Sequence, residues 1–239
     1  MLAGAKGGYS PVLTVVCFLW QDPEFQHRHL FTYDARYVNV LRSMLARHLT
    51  VRHQLVCCTD DPAGIDPGVR IVPLPAEAQR LGSYNRKLYI FHPDAGVIFG
   101  KRILMLDLDV VLVGNIDDIA SRPEPFLAWA GHLNGRNRFN TSLVLMDGGA
   151  FPEVWTDFDP GLLASLKDHG FDGLEQDWVS HKIGGRGAAI PRTDVGIESF
   201  TPLIGKPLPG TARIVFFNGR SSPPMAKCQA VAWCRENWG

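Results

Sequence analysis

The order of apolar and polar positions predicts alternating strands and helices in the first half of the chain. The apolar, β-branched run Leu13–Trp20 is typical of a strand that is buried on both faces. Apolar residues at helical spacing predict an amphipathic helix over about Asp34–Leu49. Further strands are predicted at Gln54–Cys58, at Val69–Val72 and from Ile103–Leu106 onward, with a helix at Tyr84–Phe91.

The second half of the chain has a less regular pattern. Strands are predicted at Phe126–Ala130, Ser142–Met146 and Arg213–Phe217, and helices at Leu174–Lys182 and Met225–Trp238. Strands that alternate with helices over about the first 110 residues indicate βαβ units and a mostly parallel sheet. We therefore expect one α/β domain with an elaborated C-terminal half.

Two carboxylates interrupt the most apolar segment of the chain, Ile103–Val113. With the two-residue period of a strand, Asp107 and Asp109 project from one face. Ionised carboxylates beside an apolar strand are costly unless a positive or hydrogen-bonding partner meets them. A divalent cation would be a suitable partner for both carboxylates, and hard oxygen ligands favour Mg²⁺ or Mn²⁺. The alternative is that Asp109 ends the strand and Asp107 caps a nearby loop.

Composition and charge narrow the class of partner. The chain has 239 residues, of which 46% are hydrophobic, and its 24 Lys and Arg residues balance 24 Asp and Glu residues. This apolar fraction excludes a disordered chain, and the balanced charge gives no basic surface for nucleic acid. No apolar run approaches the ~20 residues of a membrane helix, so no membrane span is expected. The partner should be a small molecule or a neutral macromolecule.

The cysteine pattern indicates a reducing compartment. The five cysteines are odd in number and contain no CxxC pair, which argues against a zinc ribbon or a thioredoxin-like site. We therefore expect free thiols in a cytoplasmic protein. The oligomeric state cannot be predicted from these features. The cysteines are Cys17, Cys57, Cys58, Cys228 and Cys234.

The segment Leu106–Asp117 resembles the DxD region of glycogenin-like family 8 glycosyltransferases and of bacterial proteins related to them. The resemblance implies a GT-A-like fold, a Rossmann-type sheet flanked by helices. It also implies a UDP-sugar donor, Mn²⁺ (or Mg²⁺) as cofactor, and retention of anomeric configuration. On this basis we expect a single domain over residues 1–239, in which residues 12–113, approximately, form the nucleotide-binding half. The sugar and an unknown acceptor, a glycan, small molecule or protein, would bind the half at about 114–239.

Four shorter segments match the pattern of that family in the same order, and they extend the resemblance over about residues 12–224. The residues implied to contact the donor are Lys87, Asp107, Asn140, Thr141, Gly219 and Arg220. The residues implied at the reaction centre are Glu175, Gln176 and Asp177. The implied metal ligands are Asp107, Asp109 and Asn218. Several of these assignments also have a plainer interpretation. Lys87 could be a solvated helix residue, Asn140 a turn residue and Asp177 a residue on the wet face of a helix. Asn218 and Gly219 could simply form a turn after the strand that ends at Phe217.

The chain departs from the family at its late segment. Asn218 stands where the family has a metal-binding His, and Ser222 where it has a diphosphate-binding Lys. Glu175 replaces the first Asp of the reaction-centre motif, and Ser142 replaces a Gly. An amide oxygen is a weaker metal ligand than an imidazole, while Arg220 could supply the missing cation. These departures put turnover in question.

Two other functions are compatible with the sequence. The DxD segment also resembles the nucleophile segment of haloacid-dehalogenase-type phosphatases, in which Asp107 would attack phosphorus and Asp109 would act as acid and base. Against this, the motif usually follows the first core strand, whereas three strands precede it here. The third hypothesis is a glycosyltransferase-like module that binds a nucleotide or sugar without transferring it.

Overall fold

The computed structural model describes residues 12–21, 33–130, 138–191, 196–217, 228 and 230–239. The strands are β1 Leu13–Leu19, β2 His53–Thr59, β3 Arg70–Pro73, β4 Arg102–Leu106, β5 Val110–Leu112, β6 Phe126–Ala130, β7 Phe139–Asp147, β8 Ala188–Ile190, β9 Ile197–Ser199 and β10 Ile214–Phe216. The α-helices are α1 Ala35–His48, α2 Ala76–Gln79, α3 Ala95–Ile98, α4 Asp117–Ala120, α5 Glu153–Thr156, α6 Pro160–Ser165, α7 Glu175–Ile183 and α8 Ala232–Asn237. The 3₁₀ helices cover Ser83–Phe91, Leu166–His169, Gly184–Arg186 and Thr201–Leu203.

The strands form two sheets. Among the described residues the larger sheet has seven strands in the order β3-β2-β1-β4-β7-β6-β8, and of these strands β7 runs antiparallel to its neighbours. The smaller sheet has the order β5-β10-β9. Because β1 to β4 are parallel, their carboxyl ends meet at one edge of the larger sheet. This is the edge at which ligands bind in open α/β sheets.

Both faces of the larger sheet are buried. Val15 and Cys17 of β1 belong to a hydrophobic core that includes α1 and the smaller sheet. Val16 and Phe18 belong to a second core, which includes the 3₁₀ helix Ser83–Phe91 and helix α7. This double burial is the physical reason why β1 is an unbroken apolar run. The mostly parallel α/β sheet predicted from the sequence is confirmed.

The apolar segment Ile103–Val113 forms two strands in different sheets, so the prediction of one continuous strand is wrong. Strand β4 ends at Leu106, and β5 pairs antiparallel with β10 in the smaller sheet. Asp107 and Asp109 lie in the connection and not on one face of a strand. The break keeps both carboxylates out of the sheets while the apolar residues on either side are buried.

Other boundaries differ from the sequence prediction in informative ways. The helix predicted at Tyr84–Phe91 is a 3₁₀ helix, and β7 begins at Phe139 rather than at Ser142. The short strands β8 and β9 were not predicted, since three-residue strands have too few positions for a period to appear. The predicted terminal helix Met225–Trp238 is helical over Ala232–Asn237, and its first residues lie outside the described part.

The cysteines are not all free. Cys228 and Cys234 form a disulfide, so the prediction of free thiols is wrong for this pair. Cys17, Cys57 and Cys58 are free and fully buried in the sheet. The argument for a reducing compartment loses the support of the bonded pair. Within the described ranges, no helix combines the length and the apolar character needed to cross a bilayer.

Candidate functional site at the carboxyl edge of the sheet

The connection that carries the two carboxylates is tied to both sheets. The backbone N–H of Asp107 donates to the carbonyl of Ser142 in β7 at 3.0 Å, and the N–H of Phe217 donates to the carbonyl of Asp109 at 2.9 Å. Leu108, between them, is buried. The two carboxylates therefore lie in a backbone segment held at both ends, directly after the carboxyl end of β4.

Lys87 joins this connection to helix α7. Its Nζ atom lies 3.0 and 3.2 Å from the two carboxylate oxygens of Asp107. The same Nζ lies 2.8 Å from Oε1 of Glu175, the first residue of α7. The Lys87 side chain is only 8% exposed, so its interpretation as a solvated helix residue is wrong. A buried ammonium between two carboxylates links three elements that are far apart in sequence.

The charge of Lys87 is stabilised despite its burial. Burial by itself lowers the pKa of this ammonium, but the nearby Asp107 and Glu175 carboxylates outweigh it and hold the pKa well above the usual lysine value. The group therefore stays protonated throughout the neutral range. Because its pKa is raised on folding, the stability that it contributes is complete at neutral pH and is lost only at high pH, as the folded-state pKa is passed.

Glu175 is held from a second side by strand β7. The hydroxyl of Thr141 donates to Oε1 of Glu175 at 2.7 Å, and both residues are buried. Two of the residues implied at the donor sugar and the reaction centre are thus in direct contact.

Removing this hydroxyl tests the contact. Thr141→Val keeps the shape of the side chain but leaves a buried carboxylate oxygen with one donor fewer. We expect the free energy of unfolding to fall by about 1.5–3 kcal/mol, the range for hydrogen bonds to charged groups. Thr156→Val is the matched control, because the Thr156 hydroxyl donates to Asp157 at an exposed position. Chemical denaturation of both variants measures the difference, and equal losses would contradict a special role for Thr141.

The other residues implied at the reaction centre have different surroundings. Asp177 is fully buried, and its Oδ2 accepts a hydrogen bond from the backbone N–H of Leu174 at 2.8 Å. This contact caps the start of α7, so Asp177 does not lie on a wet helix face. Gln176 is half-buried on the same helix turn. The helix start thus presents Glu175 to the cluster while Asp177 stabilises the helix.

Asn140 lies within strand β7 and not in a turn before it. Its Oδ1 accepts a hydrogen bond from the backbone N–H of Ser142 at 2.8 Å, and the residue is buried. Opposite it, the pairing of β6 and β7 shifts register between Ala128 and Trp129. A bulge of this kind re-aims side chains at the edge of a sheet. Thr141, which contacts Glu175, lies within the shifted stretch of β7.

Two tyrosines belong to the site, and the sequence analysis missed both. The hydroxyl of Tyr33 donates to Oδ2 of Asp109 at 3.4 Å, across 76 positions of sequence. The ring centroid of Tyr84 lies 5.9 Å from Nζ of Lys87. No sequence motif marks Tyr33. Tyr84 could have been predicted from its spacing, because it lies three residues before Lys87 and residues i and i+3 of a 3₁₀ helix share one face.

The donor set of the site suits a hard cation. Two aspartates, one residue apart, offer carboxylate oxygens, and a carboxylate that receives Lys87 still has lone pairs for a metal. Within the described ranges, no group of three or more His, Cys, Asp or Glu side chains is placed to hold a metal. An ion of the Mg²⁺ type needs only one or two carboxylates when substrate phosphates and water complete its shell. The predicted site residues Asn218, Gly219 and Arg220, and Ser222 with them, lie outside the described residues.

Comparison by sequence identifies no relative. No protein-family model matches the chain, and no curated protein matches it. The predicted relationship to family 8 therefore remains a prediction.

Comparison by structure identifies the fold. The chain superimposes on the glycosyltransferase GlyE of Streptococcus pneumoniae TIGR4 with a TM-score of 0.58 at 12% identity, covering 87% of this chain. It spans only 55% of the GlyE chain. The galactosyltransferase LgtC, solved with donor and acceptor sugar analogs, matches with a TM-score of 0.55 at 11% identity over 93% of both chains.

A third match extends the comparison to a viral protein. A glycosyltransferase involved in the glycosylation of the major capsid of PBCV-1 gives a TM-score of 0.53 at 14% identity, covering 92% of this chain and all of that one. At such identities the likeness is one of fold. The chain thus has the mixed α/β, GT-A-like fold of these glycosyltransferases, as the sequence analysis predicted.

Proposed function

We propose that the protein is a glycosyltransferase that moves a sugar from a nucleotide-sugar donor, in the simplest case a UDP-sugar, to an acceptor. The supporting observation is the Asp107–Lys87–Glu175 cluster at the carboxyl edge of the sheet, in which Lys87 and Glu175 are buried. It lies in a fold shared with three glycosyltransferases. Neither feature alone carries the proposal, since folds host many functions.

The chemistry of sugar transfer explains the need for positive charge at this edge. The leaving group is a nucleotide diphosphate, so an acid that protonates it is not required, unlike in glycosidases. Negative charge that develops on the diphosphate must instead be stabilised in place. The Lys87 ammonium is a preorganised charge of this kind in a water-poor site. A divalent ion held by Asp107 and Asp109, and by Asn218 if the late segment reaches it, would add Lewis-acid stabilisation when bound.

The carboxylate of Glu175 serves the opposite end of the donor. As the sugar–oxygen bond breaks, positive charge develops on the sugar ring. Glu175 is fixed by Lys87 at 2.8 Å and by Thr141 at 2.7 Å, so it is preorganised either to stabilise that charge or to orient the acceptor hydroxyl. Lys87 also lies between the two carboxylates, so its positive charge offsets the repulsion between them. Retention of configuration is part of this proposal only through the resemblance to family 8.

The fold favours sugar transfer over phosphatase chemistry. Asp107 follows β4, the fourth strand among the described residues, and not the first core strand of the phosphatase pattern. A binding module without turnover would use the same donor site, so it has to be separated by experiment.

The deciding experiment is a thermal-shift panel of UDP, GDP, UDP-glucose and UDP-galactose, each with and without Mn²⁺, followed by an assay for released UDP. Ligands that bind the folded state stabilise it by RT ln(1 + [L]/Kd), so Tm rises with the logarithm of the ligand concentration. We expect UDP with Mn²⁺ to raise Tm and at least one UDP-sugar to be turned over. Binding without release of UDP would indicate the non-catalytic module. Phosphate trapped covalently on Asp107 would indicate the phosphatase, and no shift with any nucleotide would overturn the proposal.

A further inference from the structure

We propose that Tyr84 and Leu174 form an apolar subsite that receives the face of a pyranose ring beside the Lys87–Glu175 ion pair. This inference rests on the proposed function, because it assigns a sugar-binding surface to the same site. The ring would belong either to the donor or to the acceptor.

The first observation is that both side chains are exposed next to a buried ion pair. Tyr84 is 37% exposed and Leu174 is 38% exposed. Leu174 immediately precedes Glu175, and Tyr84 lies three residues before Lys87. Single exposed apolar side chains are common at protein surfaces, so it is the position of these two residues beside a buried ion pair that is informative.

The second observation is that the two residues belong to elements that pack together and are joined by the ion pair. Residues i and i+3 of a 3₁₀ helix eclipse each other, so Tyr84 and Lys87 share a face. The 5.9 Å distance from the Tyr84 ring centroid to Nζ of Lys87 confirms this arrangement. The 3₁₀ helix Ser83–Phe91 packs on helix α7, and the 2.8 Å contact between Lys87 and Glu175 joins them.

The backbone before Tyr84 is held in an unusual conformation. Gly82 has φ of 68° and Ser83 has φ of 45°. A non-glycine residue in the left-handed region is uncommon and costs energy, and such residues cluster at functional sites. A Cβ at Gly82 would meet no atom within 4 Å. The glycine is therefore favoured at this position by its positive φ and not by a lack of space for a side chain. These two residues with positive φ lead directly into the 3₁₀ helix that carries Tyr84 and Lys87.

The chemistry of the subsite complements a sugar. A pyranose presents C–H groups on its faces and hydroxyls at its rim. An aromatic ring and a leucine suit the face, while the neighbouring carboxylates and ammonium suit the hydroxyls, a mixture typical of ligand sites. Partial burial raises the pKa of Tyr84 to about 12, although Lys87 opposes the rise. The phenol is therefore neutral at physiological pH and adds no charge to the subsite.

The test compares Tyr84→Ala, Tyr84→Phe and Leu174→Ala with the control Val97→Ala. Val97 is 89% exposed on helix α3, which leads into the amino end of β4 and so lies away from Asp107. The first arm measures the affinities for UDP and UDP-galactose by calorimetry with Mn²⁺. The second arm measures the binding of free methyl galactoside and methyl glucoside by saturation-transfer NMR.

Each arm identifies one source of the sugar. If the donor sugar stacks on Tyr84, Tyr84→Ala should lower the affinity for UDP-galactose about tenfold, because the apolar contact area is lost. The affinity for UDP should not change. If the acceptor stacks there instead, Tyr84→Ala should lower the affinity for the methyl glycosides about tenfold. Tyr84→Phe should keep the wild-type affinity within about twofold in either arm, because the ring is retained. Leu174→Ala should show a smaller loss in the same arm.

The outcomes separate this inference from the proposed function. Unchanged affinities of Tyr84→Ala in both arms, or a loss shared equally by UDP, would overturn the subsite. Glycoside binding that depends on Tyr84 in a protein that binds no nucleotide would keep the subsite and overturn the proposed function.

Discussion

Lys87→Met is expected to lower the free energy of unfolding by about 3 kcal/mol and the rate of UDP release by at least about 100-fold. The substitution keeps the length of the side chain but leaves Asp107 and Glu175 facing each other without their common cation. The cost is high because Lys87 and Glu175 are almost fully buried. Urea denaturation and single-turnover donor cleavage measure the two effects.

Lys182→Met is the matched control for this prediction. Lys182 pairs with Asp157 at 2.6 Å, but half of the Asp157 side chain is exposed. Surface ion pairs contribute about 0–1 kcal/mol, so this variant should lose little stability and no activity. A Lys87 variant that is as stable and as active as the Lys182 variant would remove the cluster from the mechanism.

Asp109→Asn is expected to reduce the Mn²⁺-dependent affinity for UDP by about 100-fold or more, since even groups that only orient a ligand typically cost 10–100-fold. The substitution preserves the shape of the side chain and removes only its charge. Affinity measured without Mn²⁺ should change little, because Lys87 contacts Asp107 and not Asp109. Calorimetric titration of UDP with and without Mn²⁺ separates the two affinities.

Asp157→Asn is the matched control for charge removal, because Asp157 pairs with Lys182 on the exposed side of α7. It should leave both titrations unchanged. Equal Mn²⁺ dependence in wild type and Asp109→Asn would show that Asp109 does not hold the metal, and the divalent cofactor would then be withdrawn from the proposal. The transferase assignment would still stand on Lys87 and Glu175.

The sheet could be predicted because its signal is local. Strands β1 and β2 were predicted to within one residue at each end, since burial on both faces demands an unbroken apolar run. Helix α1 was equally clear, with Asp34 accepting a hydrogen bond from the backbone N–H of Arg36 at its start. Such features are specified by residues that are neighbours in sequence.

The division of the segment Ile103–Val113 into two strands could not be predicted in the same way. Its apolar residues on both sides of Asp107 and Asp109 are equally compatible with one strand and with two. The choice is made by β10, which pairs with β5 although it lies more than about 100 residues further along the chain. A period counted within one strand contains no information about a partner at that distance.

The sequence by itself determined the α/β class, the carboxylate pair at the end of an apolar strand, and the candidate residues around it. Only the tertiary structure decided that Lys87 is buried between Asp107 and Glu175, that Thr141 supports Glu175, and that Tyr33 contacts Asp109. It also paired Cys228 with Cys234. The reason is physical: hydrophobic periodicity records which face of an element is buried, whereas the contacts of a charged side chain depend on which elements the fold brings together.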